Sequence, residues 1–542
     1  MTDDASHELV QLAAEFWQWR ARTQPDSFDD VPRPQRPADW AADWSAQAVD
    51  ERRRQLARFT ARHRALDLHA GTVVDRVDAR LLRVALDKVH WELDLLRGWQ
   101  RNPCFYIDQS LVPLYVELLA PPPFGEKRAA AIVRHLQRVP HVLAQGRDNL
   151  AGNAAAPFSD YALRLLADGP DNLIAAMDAL APLLPDPHRA CLPGLARKIA
   201  SHLAAYRDWL GTQQFTRSVA IGEKSLRFFL HRVALLPYTI EEMLDHARRE
   251  YQRAVAMEAV WRRRAEHAAP PTARDSYIEH QRHQEKEVRR FCAERGLLDL
   301  SEALRRYRFA LMPDYLDPLT WLGVPHYIAS PDNPTEDAVR YVRAPQPDLP
   351  YFEQSKILDP RVGIVHEGVH AHQLALSWQH PNPARRPFYD SLPNEGIAFY
   401  NEELMLQAGL FDRTPASGAF LANGMRLRAL RVHADLKLAT GELTCDQAAD
   451  LLARTLPLDP GTAWQETVFF AANPGQGLSY QIGKLQVLDL LTTASTDMDG
   501  FELRTFHNRL WREGNVPLVL QRLELLGRND QLDRADQLGE TE

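Results

Sequence analysis

Most of this chain reads as α-helix, with one small antiparallel β-sheet set beside a helix that carries a His-Glu pair. Three observations predict that class. Apolar residues recur at three- and four-residue steps through most of the first 300 positions, and again from 361 to about 527. Between about 306 and 343 the texture changes to short β-branched and aromatic runs bounded by Pro, Asp and Asn. The motif His366-Glu367-Gly368-Val369-His370 follows that stretch.

The segment from Val77 to Leu93 represents the helical pattern: Leu82, Leu86, Val89 and Leu93 form one apolar stripe with charges beside it. Similar stripes lie around 51–66, 126–145, 170–184, 195–210 and 240–265. Pro121-Pro122-Pro123 and the Pro and Asp residues at 183–188 interrupt them as turns. Tyr307–Met312, Val324–Ala329 and Ala338–Val342 are the expected strands. No repeat of fixed period is present. The division expected is a helical half, residues 1–300, and a catalytic half, residues 301–542. The second half holds the sheet at 301–345 and the metal-binding helices at 361–410. The polar end from Arg528 to Glu542 is expected to fray.

The 542 residues include 64 basic and 72 acidic side chains, for a formal charge of -8. Such a balance does not suit a dedicated nucleic-acid binder. Runs such as Glu51-Arg52-Arg53-Arg54 read as solvated helix faces. The four cysteines, Cys104, Cys191, Cys292 and Cys445, are isolated, so neither a thiolate zinc site nor a disulfide framework is expected. No run of roughly 18 apolar residues, the length that crosses a bilayer, occurs. No apolar segment follows the acidic N-terminus either, so a cytoplasmic protein without a membrane span is the expectation.

The chemistry concentrates in three blocks. Helical positions i and i+4 lie about 40° apart around the axis and about 6 Å apart along it. His366 and His370 can therefore aim ring nitrogens at one zinc ion, and Glu367 can reach a water on an open position. Chance alone yields such a motif in about one chain of this composition in twenty to thirty, so the neighbouring blocks have to decide. Glu395 follows the loop signal Ser391-Leu392-Pro393 and should open a second helix. It is then the third ligand of a His₂Glu site, or else a first-turn glutamate facing the helix dipole. Glu402 and Glu403, two turns further on, suit partners of a ligating histidine or plain surface acids. On an unbroken helix His372 points about 120° away from His366. It can replace His370 only if the helix bulges near Gly368.

In the third block, Gly475, Gly477 and Gly483 weaken a helical pattern, which implies close packing or backbone approach. Gln476, Tyr480 and Lys484 share one face of it. The Tyr480 phenol either donates to the oxyanion that forms when a carbonyl is attacked, or is a half-buried packing residue. Lys484, or an arginine among Arg426, Arg428 and Arg431, is a candidate for holding a substrate carboxylate.

At these blocks the sequence resembles DUF885, a large bacterial family of unknown function whose members look like gluzincin metallopeptidases. The resemblance rests on the helix at 366–374, on Asn394-Glu395-Gly396 with Tyr400, Glu402 and Glu403, and on Pro474-Gly475-Gln476 with Tyr480 and Gly483. A weaker block runs from Arg428 to Asp435. The family commonly reads His-Glu-x-x-Pro-Gly-His-His at the first block. Here His370 and Ala371 replace the Pro and Gly, and the family's next His aligns with His372. The resemblance implies a helical body with a deep cleft, whose short sheet edge pairs with the substrate backbone.

The expectation is thus a zinc-dependent hydrolase of peptide or amide bonds. His366, His370 and Glu395 hold Zn²⁺, Glu367 is the general base, and Tyr480 stabilises the oxyanion. A peptide or small amide is the expected partner, with no nucleic acid and no membrane; oligomeric state is left open. One alternative is a hydrolase of a small non-peptide amide or an N-acyl amino acid. Another, of a different class, is a helical binding or scaffold protein with a degenerate or structural zinc site.

Overall fold

Residues 2–27, 36–37, 39–67, 71–266, 277–300, 306–328, 336–344, 359–456 and 458–540 are described in this computed structural model. The longer helices of the first part are α1 (Thr2–Thr23), α2 (Ala46–Ala65), α3 (Val73–His90), α4 (Pro103–Leu119) and α5 (Glu126–Leu150). After them come α6 (Ala156–Leu180), α7 (His188–Thr212), α8 (Ile240–Ala265) and α9 (Tyr277–Glu294). Local sequence accounts for their ends. Thr72 opens α3 with a capping box to Asp75, and Thr239 opens α8 in the same way with Glu242. The stripe of Leu82, Leu86, Val89 and Leu93 is buried, as its periodicity predicts. The proline clusters at 121–123 and 183–188 separate α4 from α5 and α6 from α7.

All three expected strands form: β1 (Tyr307–Leu311), β2 (His326–Tyr327) and β3 (Ala338–Val342), in the order β1-β3-β2. Ala329, at the end of the second expected strand, lies outside the described residues. The sheet is mixed, which corrects the antiparallel expectation. β1 pairs in parallel with β3, Tyr307 opposite Ala338, and only β2 runs antiparallel to β3. The segment between β1 and β3, which includes a 3₁₀ turn at Asp317–Leu322 and β2, is long enough for the crossover a parallel pair requires.

The second part continues with α10 (Pro360–Trp378), α11 (Ser391–Gln407), α12 (Pro415–Thr440), α13 (Cys445–Thr455) and α14 (Pro460–Ala472). It ends with α15 (Gln476–Asp497), α16 (Leu503–Arg512), α17 (Leu518–Leu526) and α18 (Asp530–Glu540). The fray expected at the C-terminal end is replaced by α18. Its charged residues find partners on three other elements: Asp530 with Arg522, Arg534 with Glu242, and Asp536 with Arg80. Ala535 is fully buried beneath them.

Packing crosses residue 300. Phe16, Leu82 and Tyr115 share a core with Tyr315, Phe388 and Leu520. A second core, with Val365, Val369, Ile397, Phe399, Val487 and Trp511, holds α10, α11, α15 and α16 together. α12 lies along α8, and α15 along α11. Among the described residues no helix is long and apolar enough to cross a membrane.

Candidate metal centre

Asp359 starts α10 by accepting the Arg361 N–H at 3.1 Å, with Pro360 at the first helical position. The helix runs unbroken to Trp378, without a bulge at Gly368. The second helix begins earlier than its sequence suggests. Asp390 caps it by accepting the Leu392 N–H at 3.0 Å, and Pro393 falls inside the first turn, where an N–H has no helical partner in any case. Glu395 therefore sits in the second turn, beyond the first-turn position at which a carboxylate serves the dipole.

Two contacts fix these helices against each other and against α15. The Asn401 side-chain amide donates to the Val365 carbonyl at 2.7 Å, tying α11 to α10. Gly396 and Gly483 face each other across α11 and α15. A Cβ on Gly483 would lie 2.2 Å from the Leu392 carbonyl oxygen, and one on Gly396 would lie 2.5 Å from the Gly483 carbonyl carbon. Gly475 has φ +100 and presses against the Phe229 ring. The close approach read from these glycines is present, and it brings Tyr480, one turn before Gly483, alongside α10.

His366 Nε2 lies 3.2 Å and His370 Nε2 lies 3.5 Å from the same oxygen, Glu395 Oε2. The two imidazoles stand nearly perpendicular, with ring centres 4.9 Å apart. Ligand atoms about 2.0–2.1 Å from a tetrahedral zinc ion lie about 3.3 Å from one another, so these separations fit such a donor set. Among the described residues this is the one group of three His, Cys, Asp or Glu side chains with convergent ligand atoms. His372 is elsewhere: its Nε2 accepts from Arg289 Nη2 at 2.8 Å.

The electrostatics follow from burial and proximity. Burial penalises the charged forms, yet His366 is lifted to about 9 because Glu395 and Glu402 face its two nitrogens. Burial likewise opposes the Glu395 charge, and His370 and His366 outweigh it, holding that carboxyl far below its ordinary range. Glu402, buried at the back of the centre, places Oε1 2.7 Å from His366 Nδ1 and accepts from Arg428 Nη2 at 3.0 Å. It is the partner of a histidine rather than a surface acid. Glu403 instead accepts from Arg253 and from Lys484, the latter at 2.8 Å.

The cations considered for a substrate carboxylate are committed within the chain. Lys484 is fully buried between Glu403 and Glu250, Arg426 holds Glu258, Arg428 holds Glu402 and Arg431 holds Glu466. That expectation is corrected, because partners remote in sequence neutralise each one. Tyr480 is half-buried and stacks on His366, with ring centres 5.9 Å apart and planes 16° apart. The Arg428 and Arg431 guanidinium groups lie 5.5 and 5.1 Å from its ring centre. Glu367 is half-buried. Burial, together with the Glu367 charge, raises the pKa of the Tyr307 phenol on β1 well above its ordinary value.

A cavity of 260 Å³ lies next to this centre. None of His366, Glu367, His370, Glu395 or Tyr480 lines it, but Ser391 and Gln476 do, each four residues before Glu395 and Tyr480 on the same helices. Its wall is rich in aromatic rings, including Trp91, Trp99, Phe229 and Trp321. Sequence reasoning missed it, because its residues come from segments spread between Gln24 and Gln476 and share no spacing.

The fold is similar to two solved structures. One is described as "a putative lipoprotein of unknown function" from Shewanella oneidensis, with a TM-score of 0.68 at 14% identity, over 97% of this chain and 100% of that one. The other is "the putative lipoprotein" from Colwellia psychrerythraea, with a TM-score of 0.67 at 14% identity, over 100% of this chain and 99% of that one. A search of curated proteins finds no match. The family described as "Bacterial protein of unknown function (DUF885)" matches residues 34–523, and this chain belongs to it.

Proposed function

We propose that this protein is a zinc-dependent hydrolase of peptide or amide bonds, of gluzincin type. The observation that carries the reading is the convergence of His366 Nε2 and His370 Nε2 on Glu395 Oε2, at 3.2 and 3.5 Å. His366, His370 and Glu395 would hold the ion. Bound there, zinc supplies Lewis acidity toward a carbonyl oxygen and lowers the pKa of water enough for attack near neutral pH.

The chain's own groups do the rest. The Glu367 carboxylate takes a proton from the attacking water and returns it to the leaving amine nitrogen. Tyr480 Oη donates to the carbonyl oxygen as negative charge develops there. Glu402 faces His366 Nδ1, which turns Nε2 toward Glu395, and Arg428 keeps Glu402 ionised. The 260 Å³ cavity beside the centre favours a short peptide or an acylated amino acid over a folded protein as substrate.

The test pairs a panel of short peptides and N-acyl amino acids with the Glu367→Gln protein. Hydrolysis that requires zinc and falls at least about 100-fold in the variant is expected. Full activity in Glu367→Gln would sink the mechanism.

A further inference from the structure

Among the described residues on the cavity wall, Lys88 of α3 is the one cation. It makes no hydrogen bond and no ion pair with other described residues. Two of the acids that share the wall are paired elsewhere. Asp26 is paired with Arg36, and Glu92 with Arg20. Asp390 uses Oδ1 to cap α11 and keeps Oδ2 buried without a partner; Asp108 is a further acid on the wall. Burial raises the Asp390 pKa to about 6 against the Leu392 N–H and the Lys88 charge, which leaves the carboxyl mostly ionised at neutral pH. Lys88 is half-buried among aromatic side chains, and an anionic ligand is the group that would pair with its ammonium.

We propose that Lys88 reads the free carboxylate of the substrate, while the aromatic wall takes an adjoining apolar side chain. This rests on the hydrolase reading and names its substrate class: a short peptide or N-acyl amino acid ending in a bulky apolar residue with a free carboxylate. Position supports it. The same cavity reaches Ser391 and Gln476, one helical turn (about 6 Å) from Glu395 and Tyr480. Arg426, Arg428, Arg431 and Lys484, all bound to acids, do not compete for the carboxylate.

The test is a binding titration on the full chain with a chelator present, followed by calorimetry, so it does not depend on zinc or on turnover. The probes are 3-phenylpropionate, N-acetylphenylalanine and leucylphenylalanine, each compared with its carboxamide. The wild-type protein should prefer the acids by about tenfold or more. Lys88→Met should erase that preference while leaving carboxamide binding unchanged, and Lys88→Arg should retain it. A preference for the N-acyl probe or for the dipeptide supports the proposal and identifies which source the site accepts. Equal binding of acid and carboxamide by the wild-type protein overturns it, even if Lys88→Met fails to fold, and so does an undiminished preference in a folded Lys88→Met protein. Either failure leaves the zinc chemistry untouched, since that is read by metal content and by Glu367→Gln.

Discussion

Glu402 Oε1 stands 2.7 Å from His366 Nδ1, on the side of the imidazole away from Glu395. A carboxylate in that place fixes which nitrogen of the ring is free and makes it more basic. Glu402→Gln should therefore weaken zinc binding by about 10–100-fold with the fold unchanged. Competition with a chromophoric chelator measures this. An unaltered affinity would show that Glu402 serves packing alone.

Tyr480 stacks on His366, with ring centres 5.9 Å apart. Tyr480→Phe removes only the hydroxyl, so zinc content and KM should be nearly constant while kcat drops by about 10²–10³-fold. A variant that loses zinc in parallel with activity would instead place Tyr480 among the groups that hold the histidines in position.

Gly483 and Gly194 make opposite predictions for the same substitution. Gly483→Ala would drive a Cβ into the Leu392 carbonyl, and should cost about 3 kcal/mol or more, or prevent folding. Gly194, on α7, has open space around it, so Gly194→Ala should stabilise by about 0.5–1 kcal/mol. Urea denaturation distinguishes the two. A tolerated Gly483→Ala would mean that α11 and α15 do not touch along their backbones.

Acid should weaken the molecule at identifiable groups. Despite burial, Glu513 is held down to about 2 by His380 and Arg385, and Glu250 to about 2 by Arg253 and Lys484. Each folded-state value lies below the ordinary 4.5, so the stabilisation is complete above about pH 4.5 and is lost as pH falls toward about 2. Arg385 also reaches Asp78 on α3 and Glu524 on α17, so the Glu513 cluster ties early and late helices together. Glu513→Gln should lower Tm at neutral pH and shrink the further loss of Tm between pH 5 and 3. An acid limb identical to that of the parent would refute this assignment.

Much of the site was legible because its signals are local. His366 and His370 need only helical spacing, and the glycines at 475, 477 and 483 announced the close approach that places Tyr480. Glu395, read as a third ligand or a first-turn glutamate, faces both histidines, although its helix starts at Ser391 and not after Pro393. What the sequence hid depends on contacts between distant segments. The parallel β1–β3 pairing and the docking of α18 on Arg80, Glu242 and Arg522 carry no local signature. Nor do the partners of Arg428 and Lys484, whose charges looked free for substrate until Glu402, Glu403 and Glu250 were found against them. Lys88 drew no attention for the same reason: its isolation is a property of the cavity, not of its neighbours in the chain.

The central claim is that His366, His370 and Glu395 bind zinc, with His372 outside the set. Elemental analysis of protein purified with added zinc tests it most directly, on the parent chain and on His370→Ala and His372→Ala. The account predicts one zinc per chain in the parent, retained in His372→Ala and lost in His370→Ala. A parent protein free of zinc, or one whose zinc survives in His370→Ala and vanishes in His372→Ala, would contradict it.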